Sequence, residues 1–519
     1  MDCHTCRRGR LKCDRTQPAC QKCLARSTQC LGYGCLLRWN TGIASRGKMK
    51  GMTYALVKDG ELPKSLDLRS AGVHWPSSSL DPYPSLDVVS KKYLHYCKPP
   101  VSFRSSNTET RTLMLSAGAV ATDVCRDLVL HDTAESNQFR QLIPMALDHP
   151  VLLQTIIAGS AMRMFHTFHR HRRGATGSDL ALCANKYYGD ALTAKQQAYK
   201  LLRVATDPTH KTDSDIILAA IVLLIEAELI DVGRNNWKHH IQGATDIIEK
   251  LCSPDFSHVG TMSSLQKCLM SNCLIFEIIG STTSGPLGRF SAQSTKGFLS
   301  LLQDAEGNHC SSFPTQLLRT LQTGASLVPA NAAKTPRQFL QSARLEARAL
   351  FDAAYCFDPC AWAIALQHRS PVADLEQRVH VAFAHKAAVC IYIARLLLLL
   401  DHAEELPVDM ATLLSTGIDH LSQVGEKSPF FAATAWTSFV IGAEIVDSER
   451  RSWAVERFNN LWEVEPWGSL REAIAVLQLL WEEQDEMILS NQVRRHDDAQ
   501  VDFNWIRRLR DLNVHWLVI

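Results

Sequence analysis

The sequence predicts a protein of two parts: a small, metal-stabilised head and a large all-α body, joined by a flexible linker. Six of the 17 cysteines lie between Cys3 and Cys30, and residues 40–90 are rich in Gly, Pro and Ser with little helical period. From about Leu86 onward, apolar residues recur every three or four positions, as they do in amphipathic helices. We therefore expect a head at residues 1–35, a linker at 36–85 and a body at 86–519.

The charge of the chain is unevenly distributed. Residues 1–50 contain four Lys and seven Arg against two Asp, a formal charge of +9, whereas the remainder of the chain carries −7. A basic head favours a polyanionic partner, nucleic acid before a membrane surface. The most hydrophobic run, Ile391 to Leu400, contains Arg395 and is expected to be too short and too charged to span a bilayer. We predict no membrane association.

The six cysteines of the head are spaced as two nearly matching halves. No secretory signal follows Met1, so we expect the thiols to stay reduced, and clustered reduced thiols favour a metal over disulfides. Two Zn²⁺ ions that share two sulfurs need six thiolates instead of eight, which fits this count. His4 is not expected to be a ligand, and Cys35 lies outside the repeat. The predicted ligands are Cys3, Cys6, Cys13, Cys20, Cys23 and Cys30.

The body is predicted to consist of successive helices. One is expected to begin at Pro150, and another to run from a cap at Asp213 or Ser214 to a stop at Gly233. Helical patterns also begin near Asn236 and cover 376–400, 410–423, 431–446, 451–461 and 470–489. Glycine-, proline- and serine-rich breaks are expected at 253–261, 280–288, 307–314 and 325–336. Period-two strand patterns are scarce, so the body is predicted to be all-α.

The sequence gives little support to an enzyme. It contains no nucleophile elbow, no phosphate-binding glycine loop and no zinc-protease motif, so we predict that the protein is not an enzyme. His166, His169 and His171 do not share one helix face, and a solvated helix end is the simpler interpretation. Cys356 and Cys360 lack partner ligands at zinc spacing and are expected to be buried free thiols.

Together with its basic run from Arg7 to Lys12 and the corner at Pro18, the cysteine pattern resembles the fungal Zn2Cys6 binuclear-cluster transcription factors. The resemblance implies two Zn²⁺ ions, with Cys3 and Cys20 as the bridging thiolates. It also implies double-stranded DNA containing CGG triplets as the partner. The expected DNA-contacting residues are Arg7, Arg8, Arg10, Lys12 and Arg15.

Within that set, the resemblance implies different roles. Arg10 occupies the position that contacts base edges, and arginine can bond guanine O6 and N7 bidentately. Arg7, Lys12 and Arg15 occupy positions that contact phosphate. Gly9 stands where a basic residue is common in the family, which removes one charge from the head.

The body resembles the C-terminal α-helical region of the same family, in the subset that includes the arginine-metabolism and acriflavine-sensitivity regulators. The similar stretches are 139–144 with His149 and Pro150, 237–243, and 436–444 with Arg450. The resemblance implies a nuclear regulator of transcription by RNA polymerase II that contacts the transcription machinery and controls a metabolic or secondary-metabolite gene set.

Two alternatives stay open at this point. The family usually binds paired half-sites as homodimers, but no sustained heptad pattern follows the linker, so monomeric binding is also considered. The second alternative is an α-helical interaction or ligand-sensing coregulator whose zinc cluster docks proteins instead of DNA.

Overall fold

The computed structural model describes most of the body and part of the head. Contacts between Cα atoms divide the chain into two units, Met1–Asp81 and Pro82–Ile519. The boundaries predicted near residues 35 and 85 fall outside the described residues. These are residues 6, 12–16, 20–26, 30, 124–171, 178–207, 212–234, 236–251, 261–287, 296–328, 336–401, 406, 408–493, 503–512 and 516–519.

The described residues of the second unit form helices, which confirms the all-α prediction. In the part of the first unit that the structure describes, Gln21–Ala25 form a short helix, α1. Two 3-10 helices, Gln138–Gln141 and Ala432–Thr434, and two isolated β-bridges supplement the α-helices of the second unit. These α-helices are α2 (Leu142–Met145), α3 (Pro150–His171), α4 (Ser178–Ala205), α5 (Ser214–Asp231), α6 (Trp237–Leu251), α7 (Ser264–Ser284), α8 (Lys296–Ala305), α9 (Thr315–Leu327), α10 (Arg337–Tyr355), α11 (Pro359–Leu366), α12 (Leu375–Leu400), α13 (Met410–Gln423), α14 (Ala435–Glu444), α15 (Ser448–Val464), α16 (Gly468–Val493) and α17 (Trp505–Asp511).

The sequence signals at both ends of α5 are confirmed. The Asp213 side chain accepts a hydrogen bond from the Asp215 amide and so caps the first turn. Beyond the last turn, Gly233 adopts a left-handed φ of 72°, and its N–H donates to the Glu228 carbonyl at 2.7 Å. A Cβ at Gly233 would lie 2.8 Å from the Leu517 carbonyl oxygen, so glycine also allows the C-terminal residues to pack there.

Two helices, α5 and α12, lie at the centre of the second unit. All residues from Ile216 to Ile230 are buried, and α3, α6, α7 and α16 pack around α5. The helices α9, α10, α11, α13 and α14 pack against α12. An apolar helix surface is stable only inside a protein, so α5, which is buried from Ile216 to Ile230, depends on the helices packed around it.

The apolar run at residues 391–400 belongs to the helix that was predicted over 376–400. It forms the second half of α12, whose 26 residues are long and apolar enough to cross a membrane by length and composition. However, 72% of its most apolar window is buried inside the protein. Arg395 in this run donates bidentate hydrogen bonds to the Glu444 carboxylate, at 2.7 and 2.6 Å. The apolar residues of α12 therefore pack in the core of the helical body.

The predicted break at 280–288 is wrong for its first five residues. Gly280 lies inside α7, which continues to Ser284. A Cβ at Gly280 would lie 2.2 Å from Cη2 of the fully buried Trp237 on α6. Gly280 therefore serves as the contact point of two helices, and the chain leaves the helix only at Gly285, whose φ is 76°.

The C-terminal residues are hydrogen-bonded to earlier elements of the second unit. Trp505 of α17 donates from Nε1 to Glu444 at 2.7 Å, next to the Arg395 ion pair. Further along, the Thr283 hydroxyl donates to the Trp516 carbonyl at 2.7 Å, and Leu517 donates to the Gly233 carbonyl at 3.0 Å. These bonds attach the end of the chain to α7, to α14 and to the loop after α5.

Candidate metal centre

Cysteine sulfurs converge in the first unit. The Cys6 Sγ lies 3.6 Å from the Cys20 Sγ and 3.9 Å from the Cys23 Sγ. All three side chains are buried, with at most 3% of each residue exposed. These cysteines are buried, although the head is small, because their side chains pack against one another. Three thiols at these distances provide most of a tetrahedral zinc site.

A second group overlaps the first at Cys20. Donor atoms of Cys13, Asp14 and Cys20 lie within 4.8 Å of one another, as do those of Cys6, Cys20 and Cys23. Cys20 is therefore common to both donor groups. Cys30 packs against this cluster and is partly buried, whereas Cys3 lies outside the described residues.

The backbone around Cys20 is organised by α1. Cys20 is the N-cap of this helix, and its sulfur accepts a hydrogen bond from the Cys23 amide at 3.3 Å. The spacing of two residues between these cysteines, combined with a helical turn, brings both sulfurs to the same side of the backbone. Local helix formation thus presents two donors to one metal position.

Asp14 connects the two halves of the head. Its carboxylate accepts hydrogen bonds from the Gln21 and Lys22 amides, at 3.0 and 3.2 Å, and from the Thr16 hydroxyl. The Thr16 hydroxyl and, after it, these amides hold the pKa of Asp14 well below its usual range. Because its oxygens are occupied by N–H and O–H donors, Asp14 acts as a structural link between the halves. Sequence spacing gave no signal for this contact.

The turn after Cys13 has an unusual backbone. Arg15 adopts a φ of 61°, a left-handed conformation that is uncommon for a residue with a side chain. Its amide donates to the Cys13 Sγ at 3.4 Å, so a hydrogen bond to sulfur stabilises the turn. Lys12 and Arg15 are exposed on either side of the buried Cys13. Both cations lie at the surface of the head.

Only two of the five predicted DNA contacts can be placed. Lys12 and Arg15 are exposed residues next to the buried Cys13. Arg7, Arg8 and Arg10 lie outside the described residues. Trp237 and Trp436, which were predicted to pack in the core, are buried at 0% and 2% exposure. The prediction that Cys356 and Cys360 are buried is wrong, since the structure places both at the surface.

The donor set fits zinc. Soft thiolate sulfurs favour Zn²⁺ over Mg²⁺ or Ca²⁺, and their burial excludes water from competing for the metal. When bound, the zinc ions cross-link the two halves of the head, which is too small to build a sufficient apolar core. The residues present are therefore suited to a structural cluster that holds the backbone in a fixed shape.

Comparison with protein families agrees with this chemistry. Residues 2–39 match the fungal Zn(2)-Cys(6) binuclear cluster domain, and residues 121–519 match the fungal specific transcription factor domain. The second match covers most of the chain, so the protein belongs to the fungal Zn2Cys6 transcription factors. Its head binds two Zn²⁺ ions and DNA, and it regulates transcription.

Two similar proteins are regulators or control proteins. The chain is 28% identical over 597 aligned positions to the acriflavine sensitivity control protein acr-2 of Neurospora crassa, covering 100% of this chain and 96% of that one. It is 21% identical over 324 positions to the phomenoic acid biosynthesis cluster-specific transcriptional regulator of Leptosphaeria maculans, covering 61% of this chain and 53% of that one. No solved structure matches the chain.

Proposed function

We propose that the head recognises CGG triplets in promoter DNA and that the α-helical body regulates the outcome. The observation that carries this proposal is the placement of exposed cations beside a buried sulfur cluster, at Lys12 and Arg15. A rigid metal-stabilised core allows such cations to meet phosphates in a fixed register. The formal charge of +9 on residues 1–50 supports a polyanionic partner.

The proposed ligands are the six cysteines of the repeat. Cys3 and Cys20 are proposed to bridge the two zinc ions, which agrees with Cys20 being common to both donor groups. The four other cysteines, Cys6, Cys13, Cys23 and Cys30, are proposed to be terminal. Two tetrahedral ions that share two sulfurs use all six thiolates.

The proposed DNA contacts divide into two kinds. Arg10 is assigned to the guanines of the triplet, since its guanidinium can bond O6 and N7 of one base. Arg7, Lys12 and Arg15 are assigned to phosphates, and Arg8 to the same basic face. Phosphate contacts position the head without selecting a sequence, so specificity depends mainly on Arg10.

The proposed setting is the nucleus, where the protein acts on CGG-containing promoter sites, as a monomer or as a homodimer, and contacts the transcription machinery. The relatives suggest the controlled genes: one is named for acriflavine sensitivity, and the other for the biosynthesis cluster of phomenoic acid. We propose that this chain likewise controls a metabolic or secondary-metabolite gene set.

A comparison of arginine variants tests the assigned roles. Arg10→Ala is expected to lose roughly 1–3 kcal/mol of discrimination between CGG and a mutated triplet, because a bidentate guanine contact is removed. Arg7→Ala should weaken binding to both duplexes equally and reduce the salt dependence by about one phosphate contact. Fluorescence anisotropy with the zinc-loaded full chain, at two salt concentrations, measures both effects.

The matched control is Arg26→Ala, because Arg26 is an exposed cation at the end of α1 outside the predicted contact set. It should retain the full preference for CGG. If Arg10→Ala retains this preference as well, Arg10 does not contact the bases. If the wild-type chain prefers no duplex, the alternative function as a protein-docking coregulator is favoured instead.

A further inference from the structure

Two histidines face each other where α12 and α13 pack together. The two helices run antiparallel, since Gln377 donates to the Gln423 carbonyl at 3.0 Å while Gly417 lies beside Ala387 further along. Between these contacts, the Nδ1 of His380 lies 2.9 Å from the Nδ1 of His420. This distance allows a hydrogen bond only if one ring carries the proton at Nδ1 and the other ring presents a lone pair.

A neighbouring aromatic ring packs against the histidine pair. Phe383, one turn after His380, stacks on the His420 ring with a centroid distance of 4.4 Å and an interplanar angle of 3°. Both histidines are half-buried, and neither ring hydrogen-bonds any other described residue. Two imidazole nitrogens held this close together, one from each helix, can bind the same metal ion.

We propose that His380 and His420 form a binding site for one divalent transition-metal ion of the kind that imidazole favours, such as Zn²⁺ or Ni²⁺. The site lies in the α-helical body and is separate from the cysteine cluster. Binding a single ion through one nitrogen from each helix would fasten α12 to α13.

Metal binding requires only a small rearrangement. Zinc–nitrogen bonds of about 2.0–2.1 Å place two ligand nitrogens of a tetrahedron roughly 3.3 Å apart, so the rings must separate by a few tenths of an ångström. The ring that carries its proton at Nδ1 must move it to Nε2 through solvent. Each imidazole then binds through Nδ1 in its neutral form, and no net proton is released.

A third donor requires the Glu376 side chain to rotate toward the ion, since its carboxylate does not lie within 4.8 Å of both imidazole nitrogens. Glu376 is exposed and precedes His380 by four residues, so it lies on the same face of α12 one turn earlier. Two imidazoles and a carboxylate, completed by water, form a ligand set common in zinc and other transition-metal sites. Gln377, next to Glu376, is occupied by its bonds to Gln423 and Gly425.

Isothermal titration calorimetry of the zinc-loaded full chain with Ni²⁺ tests the proposal. One saturable site is expected in the wild type. It should weaken at least about 10-fold in His380→Ala and His420→Ala, since even loss of a ligand's hydrogen-bond partner costs 10- to 100-fold. Glu376→Gln should weaken it less, and His368→Ala, which removes an exposed histidine after α11, should not change it.

Two measurements distinguish a lost site from a misfolded protein. Ni²⁺ should raise the melting temperature of the wild type and of His368→Ala but not of His420→Ala, whose melting without Ni²⁺ reports its folding. A zinc-sensitive dye should detect no release from the cysteine cluster. If the double variant His380→Ala/His420→Ala binds Ni²⁺ as tightly as the wild type, the histidine pair holds only a shared proton, and the proposal is wrong. That result would leave the proposed DNA recognition unaffected.

Discussion

At the scale of single residues, Cys20 combines several structural roles in the head. It caps α1, accepts a hydrogen bond from the Cys23 amide and belongs to both groups of donor atoms. A terminal cysteine takes part in one metal site, whereas a shared sulfur takes part in two. The position of Cys20 therefore predicts a larger effect of substitution than at a terminal ligand.

Cys20→Ser should reduce the zinc content below that of Cys13→Ser and unfold the head, because both ions lose a thiolate. Metal analysis of the purified full chain measures the content, and circular dichroism follows the body, which should remain helical. Cys356→Ser, at an exposed cysteine of the body, is the control and should retain two ions. Equal zinc contents in the two head variants would mean that Cys20 is not a shared ligand.

Glu277 provides a pH prediction within the body. Burial, together with the nearby Glu249, raises the pKa of this carboxyl to about 7. A raised carboxyl pKa means that the folded state binds a proton more tightly than the unfolded state does. Its favourable contribution is complete below about pH 4.5 and is lost as the pH rises through about 7.

Glu277→Gln should therefore flatten the decline in stability between pH 5 and 8, with a gain of roughly 1–3 kcal/mol over the wild type at the upper end. Urea unfolding followed by circular dichroism at several pH values measures this. The control Glu482→Gln changes an exposed carboxyl on α16 and should reproduce the wild-type profile. A Glu277→Gln profile parallel to that of the wild type would show that Glu277 ionises normally.

At the scale of elements, the sequence predicts helices better than it predicts their contacts. Pro150 and Asp213 mark the starts of α3 and α5 correctly, because capping depends on neighbouring residues. The prediction of a helix break at Gly280 is wrong because the role of this glycine depends on Trp237, which belongs to another helix. In the head, likewise, the cysteine spacing indicates the metal, but the link from Asp14 to α1 is a tertiary contact without a local signal.

Two glycines inside helices test this distinction. Gly280→Ala should destabilise the body by about 1–3 kcal/mol, because the new methyl group would overlap the buried Trp237 ring. Gly189→Ala, in α4, meets nothing within 4 Å and should stabilise by about 0.5–1 kcal/mol through helix propensity. Urea unfolding of both variants measures the difference. Equal effects of the same sign would show that the contact with Trp237 relaxes freely.

At the scale of the whole molecule, the chain combines a metal-stabilised unit with one stabilised by apolar burial. The head has few apolar residues and depends on zinc, whereas α5 and α12 give the body a core of its own. This difference in the source of stability is visible in the sequence as clustered cysteines and helical periodicity. It predicts that metal removal and core mutation act on different units.

The central claim is that the zinc-stabilised head selects CGG-containing DNA. Selection of duplexes from a random library by the full chain, with zinc content determined on the same sample, tests it most directly. We predict two zinc ions per chain and enrichment of CGG, with paired triplets at a constant spacing if the protein binds as a dimer. Two zinc ions with binding that depends on salt but enriches no sequence would contradict the claim.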